Sequence, residues 1–145
     1  MVNAGTTHSG LIPVGTSAEF AKTIGESDIY LMAGITGDFS PNHVNAEYMK
    51  QTPFGTIIAH GVLVVGLMST CTTKVLEQTL TSRPAVSYGY DHIRFIKPVY
   101  VGDTISVTYE ILSEDPNQAK TYGEITARNQ YGEVVAVATH ILKFL

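Results

Sequence analysis

Hydrophobic and polar positions follow two different patterns along this chain. In the first half, residues 18–24 alternate over a length typical of an opening strand, and Ser27 is then the predicted N-cap of a short helix that ends at Gly37. A proline and clustered polar residues predict a loop over 38–44, after which Asn45 is the predicted cap of a further short helix. The first half is therefore predicted to be mainly helical.

The stretch from His60 to Leu76 carries more apolar residues than a single helical stripe requires. It lies in a segment that has no Lys, Arg, Asp or Glu between Lys50 and Lys74. Its strongly apolar parts are interrupted by polar residues and are too short to cross about 30 Å of hydrocarbon. This pattern favours a helix that is buried on most of its circumference over a membrane span.

In the second half of the chain, four alternating segments separated by Pro, Gly and Asn turns predict strands. They cover residues 85–96, 103–112, 121–129 and 133–145. Consecutive strands joined by turns are typical of an antiparallel meander. The apolar face of such a sheet must be covered, and residues 60–76 form the only predicted element that is apolar and long enough. We therefore predict an α+β fold in which a curled antiparallel sheet wraps round one central α-helix.

Composition and charge narrow the range of functions. The 145 residues are 44% hydrophobic and 15% charged, without a repeat or a linker, so we expect one domain over 1–145. The net charge of -4 and the lack of a basic run make nucleic acid and membrane surfaces poor partners. The lone Cys71 cannot form an internal disulfide, and residues 1–10 lack the features of a targeting signal. We expect a cytoplasmic protein with a loose terminus at residues 1–10.

Candidate chemistry first appears in the predicted loop, where Asp38 and His43 lie five positions apart with Pro41 between them. A carboxylate and an imidazole placed in this way can hold one water molecule, take a proton from it and return a proton to a neighbouring atom. The alternative is that Asp38 only caps backbone amides and His43 lies on the surface. This spacing is common among proteins and leaves that alternative open.

A second segment, residues 54–61, leads into the predicted central helix. Gly61 has no side chain to block a ligand, and the first turn of a helix presents unpaired N–H groups at the positive end of the helix dipole. Such N–H groups can polarise a carbonyl oxygen on which negative charge develops. The alternative is that Gly61 only allows the helix to pack tightly against the sheet.

Together the two segments resemble the MaoC-like (R)-specific enoyl-CoA hydratases, a hot-dog fold family whose pattern is Gly-Asp-x-Asn-Pro-x-His followed downstream by His-Gly. The matching residues are Gly37, Asp38, Pro41 and His43, and then His60 and Gly61. Residues 95–103 also resemble the strand and turn that follow the helix in this family. The resemblance spans residues 18–145, with one departure, because Ser40 stands where the family usually has Asn.

The resemblance implies that Asp38 and His43 are the catalytic pair and that the Gly61 N–H is the oxyanion donor. It implies a hydratase that adds water reversibly to a trans-2-enoyl-CoA to give an (R)-3-hydroxyacyl-CoA, without a cofactor. The predicted partners are an acyl-CoA thioester and a second copy of the chain, in a homodimer or a larger homo-oligomer. Four further residues are predicted to bind the substrate: Ser40, Phe54, Ile58 and His60.

Other functions are compatible with parts of this pattern. Asp38, His43 and His60 could form a three-ligand zinc site, but nothing in their spacing requires a metal and we predict none. A hot-dog thioesterase would use the same carbonyl polarisation. Its usual acidic residue lies on the central helix, where no acid precedes Glu77 in this chain. A non-catalytic acyl-CoA-binding domain would keep the fold without turnover.

Overall fold

The computed structural model describes residues 10–79, 81 and 83–145, and within these residues it contains five strands and four helices. In chain order they are β1 (Ser17–Thr23), α1 (Glu26–Thr36), α2 (Pro41–Val44), α3 (Ala46–Met49), α4 (Gly61–Gln78), β2 (Ala85–Phe95), β3 (Thr104–Asp115), β4 (Lys120–Arg128) and β5 (Val134–Phe144). The predicted order, helices first and strands afterwards, is confirmed. The predicted loose terminus lies, apart from Gly10, outside the described residues.

The described strands form one antiparallel sheet in the order β1-β3-β4-β5-β2. The predicted meander is confirmed for β3, β4 and β5, but it is wrong for β2, which pairs with β5 on the far side of the sheet from β3. After β2 the chain crosses towards β1, where the Gly102 N–H donates to the carbonyl oxygen of Ile24 at 2.8 Å. Residues 96–103 are therefore a crossover and not a hairpin turn.

The inner face of α4 packs against this sheet and forms the core with it. Residues spaced three or four positions apart on α4 are buried: Val64, Leu67, Met68, Cys71, Thr72 and Val75. Alternate residues of β3 are buried in the same core: Ile105, Val107, Tyr109 and Ile111. The predicted arrangement of an antiparallel sheet around one central helix is confirmed.

The outer face of α4 differs from the prediction. No described element of this chain covers it, and Val62 is 52% exposed there, with Gly66 and Ser69 also exposed. Burial on most of the circumference is therefore wrong for the chain by itself, because the sheet lies on one side of the helix only. No described helix, α4 included, has both the length and the apolar character needed to cross a membrane.

Local hydrogen bonds set the helix ends near the site. The predicted N-cap Ser27 is wrong, because the Asp28 carboxylate accepts the N–H of Gly25 at 2.8 Å and α1 begins two residues earlier. The predicted stop at Gly37 is confirmed, and its φ of 79° lies in the left-handed region that glycine adopts without strain. Asn45 is confirmed as the cap of α3, since its side-chain oxygen accepts a backbone N–H of that helix at 2.9 Å.

The predicted loop over 38–44 is wrong in its second part. Residues Pro41–Val44 form the single helical turn α2, with Pro41 at its first position. Proline suits this position because a residue that begins a helix has no partner within the helix for its N–H. The turn gives His43 a regular backbone and leaves Asp38 in the short link between two helices.

A buried polar cluster surrounds His140 of β5 inside the core. Its Nε2 lies 2.8 Å from the Ser87 hydroxyl, and its Nδ1 lies 3.1 Å from the Tyr109 hydroxyl and 3.4 Å from that of Thr72. Burial lowers the pKa of His140 from 6.5 to about 4. The folded protein therefore holds this ring neutral over a pH range in which the unfolded chain protonates it.

We expect the burial of neutral His140 to make the protein less stable as the pH falls. The unfolded chain takes up the proton below pH 6.5 and the folded one only near pH 4, so the free energy of unfolding decreases between those values, by about 2 kcal/mol from pH 7 to pH 5. Urea unfolding of the parent and of His140→Gln at both pH values measures this, and the variant should lose that part of the decrease. The exposed His92→Asn is the matched control and should leave the decrease unchanged. Equal decreases in the parent and His140→Gln would contradict the assignment.

Candidate active site

Asp38 is held by the backbone that surrounds it. It follows Gly37, which ends α1, and its N–H donates to the Thr36 hydroxyl at 3.2 Å. Its carboxylate accepts the N–H of Ser40 at 3.1 Å, and the residue is exposed. This contact with Ser40 comes from the main chain, so it fixes one carboxylate oxygen and leaves the acidic group open to solvent.

His43 on α2 has a defined tautomer. Its Nδ1 lies 2.7 Å from the carbonyl oxygen of Ile58. A carbonyl oxygen only accepts hydrogen bonds, so in the neutral ring Nδ1 carries the hydrogen and Nε2 carries the lone pair. His43 therefore presents Nε2 as the nitrogen that can accept a proton.

His60 joins the two segments that the sequence singled out. Its side chain is 1% exposed, and its Nε2–H donates to the carbonyl oxygen of Asp38 at 3.0 Å. Its ring is stacked on the ring of His43, with 3.7 Å between the ring centroids and 25° between their planes. One side-chain oxygen of Asp38 and one ring nitrogen of each histidine all lie within 4.8 Å of one another.

This triad is a poor arrangement for a metal ion. An ion bound by two imidazoles lies close to both ring planes, in the direction of each lone pair. Two rings with centroids 3.7 Å apart and planes inclined by 25° lie nearly face to face, so an ion in the plane of one ring lies outside the plane of the other. A water molecule suits the spacing better, because two groups within 4.8 Å of each other can both bond to it.

Gly61 begins α4 beside these side chains. Neither its N–H nor that of Val62 bonds to another described group, as expected for the first turn of a helix. A Cβ added at Gly61 would lie 2.7 Å from the ring of Phe95 at the end of β2. A side chain at position 61 would therefore have to displace the Phe95 ring, and the helix start also keeps free donors.

A cavity of about 360 Å³ lies against Gly61. Of the predicted site residues, those that line it are His43, Gly61, Phe54 and Ile58, whereas Asp38, Ser40 and His60 do not. Its other walls include residues that were not predicted to bind a substrate, among them Val64, Phe95, Lys97 and Val135. The sequence signal for Phe95 was the segment 95–103, which was recognised only as a strand and turn.

The cavity wall is mainly apolar, and its lysine is paired. Lys97 donates to the Glu133 carboxylate at 2.5 Å, and this bond holds the pKa of Glu133 below its usual range. Polar atoms near the cavity that keep a free hydrogen-bonding position include Nε2 of His43, the second carboxylate oxygen of Asp38 and the N–H groups at the start of α4. These groups can together hold a water, exchange protons with it and bind a carbonyl oxygen.

The chain is similar to known proteins over most of its length. Residues 12–133 match the family described as MaoC like domain. The chain is similar to the (R)-specific enoyl-CoA hydratase of Rhodospirillum rubrum, at 42% identity over 107 residues, which covers 74% of this chain and 71% of that protein. It is also similar to the 3-hydroxybutyryl-CoA dehydratase of Methylorubrum extorquens, at 35% identity over 109 residues, 75% of this chain and 66% of that protein.

A solved structure confirms the expected hot-dog fold. The chain is similar to the unliganded R-hydratase PhaJ1 from Pseudomonas aeruginosa, with a TM-score of 0.74 and 29% identity. The likeness covers 91% of this chain and 81% of that one.

The contact between Gly61 and Phe95 is open to a direct test. Gly61→Ala should lower the free energy of unfolding by about 1–3 kcal/mol, because the new methyl group meets the Phe95 ring. The loss of stability caused by Gly61→Ala should be smaller in the Phe95→Ala background. Urea unfolding of both single variants and the double variant measures this. Gly66→Ala on the same helix is the control, since a Cβ there meets nothing within 4 Å. A Gly61→Ala protein as stable as the Gly66→Ala protein would contradict the packing role.

Proposed function

Because the chain belongs to the MaoC-like domain family, we propose that it catalyses the reversible addition of water to a trans-2-enoyl-CoA, giving an (R)-3-hydroxyacyl-CoA. The observation that carries this proposal is the placement of Asp38 and His43 within reach of one water, beside a cavity that is lined by Gly61, whose N–H is free. The (R) configuration rests on the likeness to (R)-specific relatives.

The chemistry follows from these positions. The thioester oxygen accepts the Gly61 N–H, which draws electron density from the double bond and makes the β-carbon electrophilic. Asp38 and His43 hold the water between them and remove one of its protons as its oxygen bonds to the β-carbon. The π electrons of the double bond move to the α-carbon. The α-carbon then takes a proton from the acid-base pair of Asp38 and His43. Dehydration is the reverse sequence, and the net proton count of the protein is unchanged.

Two other functions of the same fold are less well supported. A thioesterase that uses an acid on the central helix would need that acid near Gly61, but the first acidic residue of α4 is Glu77, which is exposed near the far end of the helix. A binding domain without turnover would not need a carboxylate and a histidine side chain within reach of one water.

The acid-base pair gives the main test of the proposed activity. Asp38→Asn and His43→Gln should each lower kcat for crotonyl-CoA hydration by at least about 10²-fold, because each variant lacks a positioned proton carrier. The assay follows loss of the enoyl absorbance, and a parallel assay for free thiol detects thioester cleavage. Asp91→Asn, an exposed carboxylate on β2, is the control and should keep the parent rate. Thiol release instead of hydration, or full turnover by either variant, would contradict the proposal.

We place this activity in a homodimer, or in a multiple of one, within the cytoplasm. Among the described strands, β2 forms one edge of the sheet, and its Val86 and Tyr88 side chains are exposed. An edge strand offers unpaired N–H and C=O groups that a second copy can satisfy. The outer face of α4, where Val62, Gly66 and Ser69 are exposed, gives a further uncovered surface for a partner. The cytoplasmic location rests on the single Cys71, which is free and buried.

Activity should therefore depend on protein concentration. Dilution below the dissociation constant of the dimer should lower specific activity, because residues near the α4 outer face and the β2 edge lose their partner. Light scattering at the same concentrations reports the mass, and an inert carrier protein controls for adsorption. A fully active monomer would contradict both the assembly and its link to activity.

A further inference from the structure

His60 contacts both members of the acid-base pair, although it does not line the cavity in which the substrate would sit. It bonds to the main chain of Asp38 and stacks on the ring of His43. We propose that His60 is a positioning residue that holds Asp38 and His43 in register, and does not itself bind the substrate. This inference rests on the hydration activity proposed above.

The hydrogen bond to Asp38 joins two distant parts of the chain. The Nε2–H of His60 reaches the Asp38 carbonyl oxygen across 22 positions in sequence, at 3.0 Å. The other bonds of Asp38 are local, since they involve residues two positions away on either side. The hydrogen bond from His60 is therefore the long-range contact that connects the exposed segment bearing the Asp38 carboxylate to the start of α4.

The ring contact fixes the direction of the base. One hydrogen bond, from Nδ1–H to the Ile58 carbonyl oxygen, locates one corner of the His43 ring but leaves its plane free to tilt. The buried His60 ring, with its centroid 3.7 Å away, removes that freedom by lying against one face. The Nε2 lone pair then keeps a constant direction, and displacements of about 1 Å in such a group lower rates by about 10²-fold.

His60 is not placed to exchange protons. Its Nε2–H is committed to the Asp38 carbonyl oxygen, so in the neutral ring its Nδ1 carries the lone pair. That Nδ1 is buried and bonds to no described group. A buried acceptor without a partner costs free energy, which an apolar ring of the same size would avoid. The His60 imidazole thus provides a flat face that packs against His43 and an N–H donor that bonds to Asp38.

Two substitutions separate the two contacts. His60→Gln keeps an N–H donor for the Asp38 carbonyl oxygen and removes the ring, whereas His60→Phe keeps a ring for His43 and removes the donor. We expect each variant to lower kcat for crotonyl-CoA at least about tenfold and to leave KM within about twofold. A residue that binds the substrate would instead raise KM. Circular dichroism and urea unfolding identify folded variants, and if one does not fold, the other decides the outcome.

Double variants then distinguish positioning from a general structural role. In the His43→Gln background, His60→Gln should change kcat less than twofold, because the ring it removes no longer has a base to orient. In the Asp38→Asn background, His60→Phe should likewise have little further effect. Losses that multiply in both backgrounds would overturn the proposal, and so would folded single variants with the parent kcat or a raised KM. Failure of the hydration proposal looks different, because Asp38→Asn and His43→Gln themselves would then keep the parent rate.

Discussion

The inner face of α4 can be buried only against the sheet, because no other described element offers an apolar surface of comparable length. That packing decides where the helix lies and, with it, where its first turn stands. Gly61 and its free N–H are therefore placed by buried residues such as Met68 and Val75, which do not line the cavity. The electrostatic part of the site is a consequence of core packing.

The start of α4 is in turn fixed by the crossover at residues 96–103. The Ala59 N–H donates to the Val99 carbonyl oxygen at 2.8 Å, and Ile58 forms an isolated bridge with Tyr100. The same Ile58 carbonyl oxygen accepts the hydrogen of His43 Nδ1. Residues 58 and 59 thus bond to His43 on one side and to the crossover on the other. The cavity is lined by residues of both parts, His43 on one side and Val99 of the crossover on the other.

The features that sequence predicted well are those that depend on neighbours along the chain. The residue pattern predicted β3 as a strand, and Gly37 and Asn45 predicted helix ends, since a left-handed glycine and a side-chain cap act over a few residues. Ser27 failed as a cap because Asp28, one residue on, bonds both Gly25 and Lys22 and so favours an earlier start. Two competing local bonds cannot be ranked from residue types alone.

Features that depend on distant contacts were not predictable in this way. The place of β2 beside β5 depends on the route of the crossover, and the ring of Phe95 over Gly61 depends on that pairing. Asp38 and His43 were found from their spacing, but their link through His60 was not, because a stack of two rings leaves no periodic signal. His60 was therefore predicted to bind the substrate from its neighbour Gly61, whereas its own contacts lie elsewhere.

The departure at Ser40 becomes understandable from the bonds around Asp38. Ser40 is the N-cap residue of α2, but its side chain makes no capping hydrogen bond. Ser40 donates its main-chain N–H to the Asp38 carboxylate, and every residue except proline can supply such a donor. Replacing the Asn usual in the family by Ser therefore leaves intact the contact that orients Asp38. The parts of the pattern that this geometry does require are Gly37, which ends α1, and Pro41, which begins the turn that carries His43.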